Sequence, residues 1–221
     1  MLVGKAASKR IRFTTGRMLA EFGLGLDRWG SRLSGDIAHL QPYSRHRKIM
    51  GLYDRVPEII NSFIAPNASV VGECYIQRGS SIWYNVSVRG DHAPVRIGQN
   101  VNIGDFSVLS TAGSLPTGIP ESVNIGNNVT IQPRCNLYAC TIDDSVIIGM
   151  RSTVLEGAVL ERGAVIGPNS VVPPGRRIPA NQYWAGSPVE YVSDVTPETR
   201  NEYLADSTMT SVQIEELEEN Q

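Results

Sequence analysis

An aliphatic residue at every sixth position limits what this chain can fold into more than any other feature does. From Ile64 it recurs at Val70, Ile76, Ile82 and Val88, then after a three-residue slip at Ile97, Ile103 and Leu109. It returns at Ile125, Ile131 and Leu137, slips by one, and runs on through Ile142, Ile148, Val154, Leu160, Ile166, Val172 and Ile178. All eighteen positions are Ile, Leu or Val in a chain that is 41% hydrophobic overall, so the period is a property of the fold and not of composition.

A six-residue period serves neither an α-helix of 3.6 residues per turn nor a half-buried strand of strict alternation. It suits a triangular solenoid, in which each hexad makes one short strand and one corner and three hexads make a coil. The expected fold is a mainly β, left-handed parallel β-helix working as a trimer. The fourth position after each aliphatic residue should be small, because the chain bends there. Ala68, Cys74, Ser80, Ser107, Cys135, Ser152, Ala158, Ala164 and Ser170 occupy it. Gly72, Gly98, Gly104, Gly126, Gly149 and Gly167, with several Asn and Asp, are expected to supply the permissive backbone of the corners. The stretch Ser110 to Ser122, with two glycines and two prolines, is too long for a corner and should leave the solenoid as a loop.

The ends read differently. Met18, Phe22, Leu26, Trp29 and Leu33 form an apolar stripe at helical spacing, interrupted by Gly23, Gly25 and Gly30, and suit a docking helix that orders against another surface. Thr196, Pro197 and Glu198 read as the N-cap and first turn of a C-terminal helix that packs on the solenoid. The expected organisation is a basic tail or mitochondrial targeting segment over 1–16, an extension over 17–60, the β-helix over 61–192, and a helix with an acidic tail over 193–221.

Charge and cysteine content narrow the function. A net charge of −2 argues against nucleic acid as a partner of the body of the protein. Lys5, Lys9, Arg10, Arg12 and Arg17 precede the first acid, Glu21, which is the composition of a mitochondrial presequence. Cys74, Cys135 and Cys140 fit no disulfide framework or metal signature, and the first and second fall at small buried positions. No apolar run is long enough to span a bilayer.

Five segments carry a family resemblance: SSIWYNVSVRGD (Ser80 to Asp91), IGQNVNIGD (Ile97 to Asp105), IGNNVTI (Ile125 to Ile131), VIIGMRSTVLEGAVLE (Val146 to Glu161) and IPANQYWAGSP (Ile178 to Pro188). They resemble the γ-class carbonic anhydrases. LGLDRWGSRLSG (Leu24 to Gly35) and SRHRKIMGLYDRVP (Ser44 to Pro57) look like the mitochondrial members attached to respiratory complex I in plants, algae and protists. The family's zinc lies between subunits on three histidines, two from one protomer and one from its neighbour. The resemblance places the corresponding positions on Ser110, Pro133 and Tyr138, and the glutamine near the metal-bound water on Gly104. None of these is a zinc donor of the kind hydration needs. The three histidines, His39, His46 and His92, lie away from those positions and read as surface or structural residues.

Assembly positions are present by the same resemblance. Arg89 and Asp91 match residues that pair across the subunit boundary, and Asn102 and Asp105 match a polar corner. The resemblance thus implies a non-catalytic subunit without cofactor. Its implied partners are two other γ-carbonic anhydrase-like subunits in a heterotrimer, and complex I membrane-arm subunits on the matrix side of the inner membrane, with peripheral membrane contact. Two rival readings remain. One is an active enzyme whose zinc is completed by neighbours, although this chain offers no donor to either of its interfaces. The other is a hexapeptide acyltransferase, which the closing WAGSP (Trp184 to Pro188) also resembles. Acyl transfer to a hydroxyl or amine calls for a general base, and the coils and protruding loop hold no histidine ligand or base beyond His92 at the corner.

Overall fold

A computed structural model describes residues 14–26, 29, 30, 33, 48–52, 55–115, 118, 120–196, 198, 200 and 201. The chain forms two compact units, Met1–Arg47 and Lys48–Gln221. In the first, residues 14–26 are helical, with Arg17 and Glu21 paired one turn apart at 3.4 Å.

The second unit is a parallel β-solenoid of about seven turns, and its register shows why the period is six. Three vertical columns of aliphatic side chains fill the prism. On face 1 the column is Ile64, Ile82, Ile103, Ile131, Ile148, Ile166 and Trp184. On face 2 it is Ile49, Val70, Val88, Leu109, Leu137, Val154 and Val172. On face 3 it is Ile59, Ile76, Ile97, Ile125, Ile142, Leu160 and Ile178. All eighteen positions of the repeat are buried, the most exposed being Ile64 at 7%. Stacking like on like lets every short strand bond its neighbours above and below, so two-residue strands hold without long pairing. The structure adds one coil to the repeat: Ile49 and Ile59, spaced irregularly in sequence, continue the columns below Val70 and Ile76.

The small residues at the bends are buried as expected. Between faces 1 and 2 they also form a hydrogen-bonded ladder. Ser107 Oγ donates to the Gln132 carbonyl at 3.3 Å and accepts from Cys135 N at 3.1 Å. Ser152 Oγ donates to Gly167 O at 2.9 Å and accepts from Ser170 N at 3.3 Å. Each hydroxyl serves backbone groups at the bend that a methyl could not.

The corner glycines do a different job from the one the sequence suggests. At most corners the residue forced into the left-handed region is the third after the aliphatic position, held by Asn85, Asn100, Asn128, Asn169 and Asn181, by Gly79, Gly157, Gly163 and Gly175, and also by Phe106, Arg134, Ser145 and Arg151. Of Gly72, Gly98, Gly104, Gly126, Gly149 and Gly167, which the sequence suggests for the corners, only Gly72 has positive φ. The others sit where the next coil crosses closely: a Cβ on Gly149 would lie 2.5 Å from Pro168 N, and one on Gly98 would lie 2.4 Å from Gly126 O. They are glycine for want of space.

The sequence slips become local structures. The three extra residues after Val88 are absorbed in the long strand Ser87–Ile97, whose register to Ser69–Ile76 shifts between Gly72 and Cys74. The segment after Ser110 leaves the coil, and Ala112 N bonds Glu121 O at 3.0 Å where it returns. Past the last coil, Gln182–Ala185 pairs antiparallel with Glu190–Asp194. Trp184 closes the column, with the Arg176 guanidinium 4.9 Å above its ring and Tyr191 edge-on at 6.0 Å. Arg200 N bonds Thr196 O at 3.0 Å, the first helical turn after the solenoid; residues 202–221 lie outside the described residues.

Candidate functional site

Outward-facing residues of face 2 bring the sequence candidates together. Arg89, Ser110 and Tyr138 are in register on three successive strands, so their side chains stack at one edge of the face. Pro133 is in the same coil as Tyr138 but at the opposite edge, on the corner leading into face 2. Gly104 lies one coil below that corner; a Cβ there would come within 2.6 Å of Pro133 N and 2.8 Å of its ring Cδ. Within one chain, therefore, Ser110 and Tyr138 are neighbours and Pro133 stands apart from them across the width of the face.

Proline suits its place. On the corner leading into face 2 the second position after the aliphatic residue makes no backbone ladder bond through its N–H, and at Pro133 it precedes a left-handed third position, as in a type II turn. Pro133 before Arg134, Pro168 before Asn169 and Pro174 before Gly175 share this arrangement.

At the far corner Arg89 Nη2 donates to Asp91 Oδ2 at 2.7 Å. The Asp91 carboxylate also accepts from His92 N at 3.2 Å and lies 3.4 Å from Thr111 Oγ1, while the Arg55 guanidinium donates to the Asp91 carbonyl. Partial burial pushes the Asp91 carboxyl up, but the Arg89 guanidinium and the backbone amide outweigh it and hold the group below its ordinary value. Arg89 and Asp91, expected to pair across a subunit boundary, are thus joined within the chain. His92 is exposed, next to Gly113 of the loop; His39 and His46 lie outside the described residues. Asn102 is on face 1, where its Oδ1 accepts from Trp83 Nε1 at 2.6 Å and Ser81 Oγ at 2.8 Å. Asp105, below Pro133, accepts from Tyr84 N at 2.9 Å and shapes the corner.

Three further residues at this corner escaped the sequence reading. Gln132 is buried, and its Oε1 accepts from Met150 N at 3.0 Å. Phe106 is 55% exposed in a left-handed conformation, with the Arg134 guanidinium 5.8 Å from its ring. No motif marks any of them; only the corner position, once the register is known, singles them out.

The cysteines are packing residues. Burial pushes the Cys74 and Cys140 thiols up to about 12 and Cys135 to about 11. In the N-terminal unit, Met18, Phe22, Leu26, Trp29 and Leu33 are each more than half exposed.

Comparison with known proteins agrees with this geometry. Residues 139–174 match the family described as bacterial transferase hexapeptide (six repeats). Over 190 residues the chain is 38% identical to "Gamma carbonic anhydrase 1, mitochondrial" of Arabidopsis thaliana, covering 86% of this chain and 69% of that one. The chain belongs to the γ-carbonic anhydrase family. It is 35% identical to "Gamma carbonic anhydrase 2, mitochondrial" of the same plant, over 86% of this chain and 68% of the other. Among solved structures, a putative acetyltransferase from Bacillus cereus superposes with a TM-score of 0.70 at 30% identity, covering 78% of this chain and 98% of that one.

At Ser110, Pro133 and Tyr138, the positions that the resemblance assigns to the family's zinc ligands, the side chains do not fit the metal. A serine hydroxyl and a tyrosine phenol are poor substitutes for imidazole, and proline offers no side-chain donor. Among the described residues no group of three or more His, Cys, Asp or Glu side chains could hold a metal ion.

Proposed function

We propose that this chain is a non-catalytic assembly subunit: a left-handed β-helix in a trimer of γ-carbonic anhydrase-like subunits, two others beside it, on the matrix side of the membrane arm of mitochondrial complex I. The observation that carries the reading is the set Ser110, Pro133 and Tyr138, which leaves the scaffold of the family intact and the metal without ligands. The mitochondrial names of its relatives support the compartment. The exposed stripe of Met18, Phe22, Leu26, Trp29 and Leu33 suits attachment to a membrane-arm subunit or to the membrane surface. No helix among the described residues is long and apolar enough to cross a membrane.

The test is isolation of the tagged full chain from mitochondria, with native gels and metal analysis. Migration with complex I and no stoichiometric zinc on the purified chain are expected. Deleting residues 1–45 should leave a folded solenoid that no longer migrates with the complex. About one tightly bound zinc per chain, or carbon dioxide hydration by the chain alone, would overturn the reading. The likeness to a putative acetyltransferase gives acyl transfer as the second reading, and measurable acetyl-coenzyme A binding would favour it.

A further inference from the structure

The two ends of the solenoid leave unlike sheet edges. At the N-terminal end the outermost strands, Ile49–Met50, Glu58–Ile59 and Phe63–Ile64, are two residues each, too short to hold an added strand. At the other end the sheet of face 1 finishes in Glu190–Asp194, five residues that pair with Gln182–Ala185 on one side and with no strand on the other. All five are exposed, Tyr191 by 50% and Val192 by 54%.

The ladder fixes where the free backbone groups point. Val195 N bonds Asn181 O at 2.9 Å, one position beyond the register pair Gln182 and Asp194. Bonded and non-bonded pairs alternate in an antiparallel ladder, so the N–H and C=O of Asp194 face the open side. An edge with unpaired backbone groups is a template for another strand.

The side chains decide which strand fits. Antiparallel pairing with the same strand of a second copy, in full register, would set Glu190 of each against Asp194 of the other, and directly opposed like charges are destabilising. A cationic strand meets the opposite situation. Neither Glu190 nor Asp194 has an ion-pair partner among the described residues. The arginines of this end are engaged elsewhere: Arg176 lies over the Trp184 ring, Arg177 bonds Glu161, and Arg200 donates to the Ser145 carbonyl. Tyr191 Oη donates to Asp194 Oδ1 at 3.1 Å and holds that carboxylate beside the strand. Two unmatched acids thus bracket the exposed apolar pair Tyr191 and Val192.

We propose that the open edge of Glu190–Asp194 takes up an extended basic segment of a partner protein as an added strand. Main-chain hydrogen bonds hold it, Lys or Arg lies opposite Glu190 and Asp194, and β-branched or aromatic side chains pack between them against Tyr191 and Val192. The edge lies past the last coil, so the proposal goes beyond the assembly reading above and does not depend on it.

The test uses the purified full chain and three fluorescein-labelled peptides, read by fluorescence anisotropy. The first is Lys-Val-Arg-Val-Lys-Val-Arg, the second is the same peptide N-methylated at every backbone amide, and the third is its acidic counterpart, Glu-Val-Asp-Val-Glu-Val-Asp. The first should bind saturably and more weakly as salt is added. The N-methylated peptide keeps the charges without the N–H groups and should bind more than about tenfold more weakly. Glu190→Lys combined with Asp194→Lys should cost the basic peptide more than about tenfold and bring in the acidic one, with far-UV circular dichroism confirming the fold. No saturable binding of the basic peptide up to about 1 mM would overturn the proposal. Equal binding of the N-methylated peptide would overturn strand addition in favour of charge attraction alone, and equal binding by the double variant would place the site elsewhere. Native mass spectrometry of the chain alone gives the remaining outcome: self-association that the double variant abolishes would make a second copy the occupant and overturn the proposal.

Discussion

Placing imidazoles at Ser110, Pro133 and Tyr138, the positions that the resemblance assigns to zinc ligands, tests whether those three side chains are what separates this chain from a metal-binding member of its family. Neighbouring strands are about 4.8 Å apart, so Ser110→His and Tyr138→His would place two rings side by side on face 2. Two nitrogens bound to one tetrahedral zinc at about 2.05 Å are about 3.3 Å apart, a separation that two such rings reach by leaning together. Pro133→His stands across the face, at the corner five residues before Tyr138, so its ring would serve the neighbouring subunit instead. The triple variant should therefore bind about one zinc per chain, and only when assembled. Removing the proline costs roughly 0.4–1 kcal/mol through the unfolded chain. Zinc at one hundred times its dissociation constant contributes about 2.7 kcal/mol, which in a unit of this size raises the unfolding midpoint by about 5–11 °C. Metal analysis after gel filtration and thermal scans with and without zinc make the measurement. Zinc bound equally by the unaltered chain, or no zinc bound by the triple variant in a confirmed trimer, would refute the reasoning.

Leu137→Ala removes a fully buried column residue and should cost about 2–5 kcal/mol, whereas Tyr138→Ala beside it, pointing outward, should cost under about 1 kcal/mol in the monomer; chemical denaturation distinguishes them. Ser152→Ala strands the Gly167 carbonyl and the Ser170 N–H inside a corner and should cost about 1–3 kcal/mol by the same assay. Arg89→Ala should lower stability at neutral pH by under about 1 kcal/mol, since the pair is half exposed. Because Asp91 is held below its ordinary value of 3.8, that stabilisation is present above 3.8 and lost as the pH falls through the folded value, so the two stability curves should converge in acid. With thiols pushed to about 11 or 12, Cys74, Cys135 and Cys140 should resist alkylation at pH 8 until the chain is unfolded, as mass spectrometry can count.

The repeat was legible because burial inside the prism tolerates only Ile, Leu or Val at one position in six, and no other constraint competes there. Legibility failed where packing is irregular or where two causes leave the same residue. Ile49 and Ile59 join the columns from segments without the period, so nothing local marks them. A glycine chosen for positive φ and one chosen for want of space look alike in sequence; Gly175 is of the first kind and Gly149 of the second. Phe106, Arg134 and Arg151 adopt a conformation that their types disfavour, so turn propensities point away from them. Of the candidate site, the resemblance points to Ser110, Pro133 and Tyr138, and the register adds what sequence does not show: Ser110 and Tyr138 are neighbours within the chain and Pro133 stands apart from them.

Pro133 and Tyr138, at two of the positions that the resemblance assigns to zinc ligands, and Gly104, at the position of the family's glutamine, share a second property, which bears on how the scaffold holds without a metal site. Pro133 precedes a left-handed residue and presets the turn that each coil needs there, whereas a histidine would leave that turn to the coil alone. Tyr138 is an aromatic on a strand, a type that suits a pleated surface, and it is one of the few large side chains exposed on face 2. Gly104 leaves room for the proline ring one coil above, 2.8 Å from where a Cβ would be. Each replacement therefore serves the coil or the surface beside it, at positions where a metal-binding side chain would serve only the metal. On the proposed assembly role these residues belong together, and placing histidine at Pro133 or Tyr138 alone should weaken the corner or the face before any zinc can offset the loss.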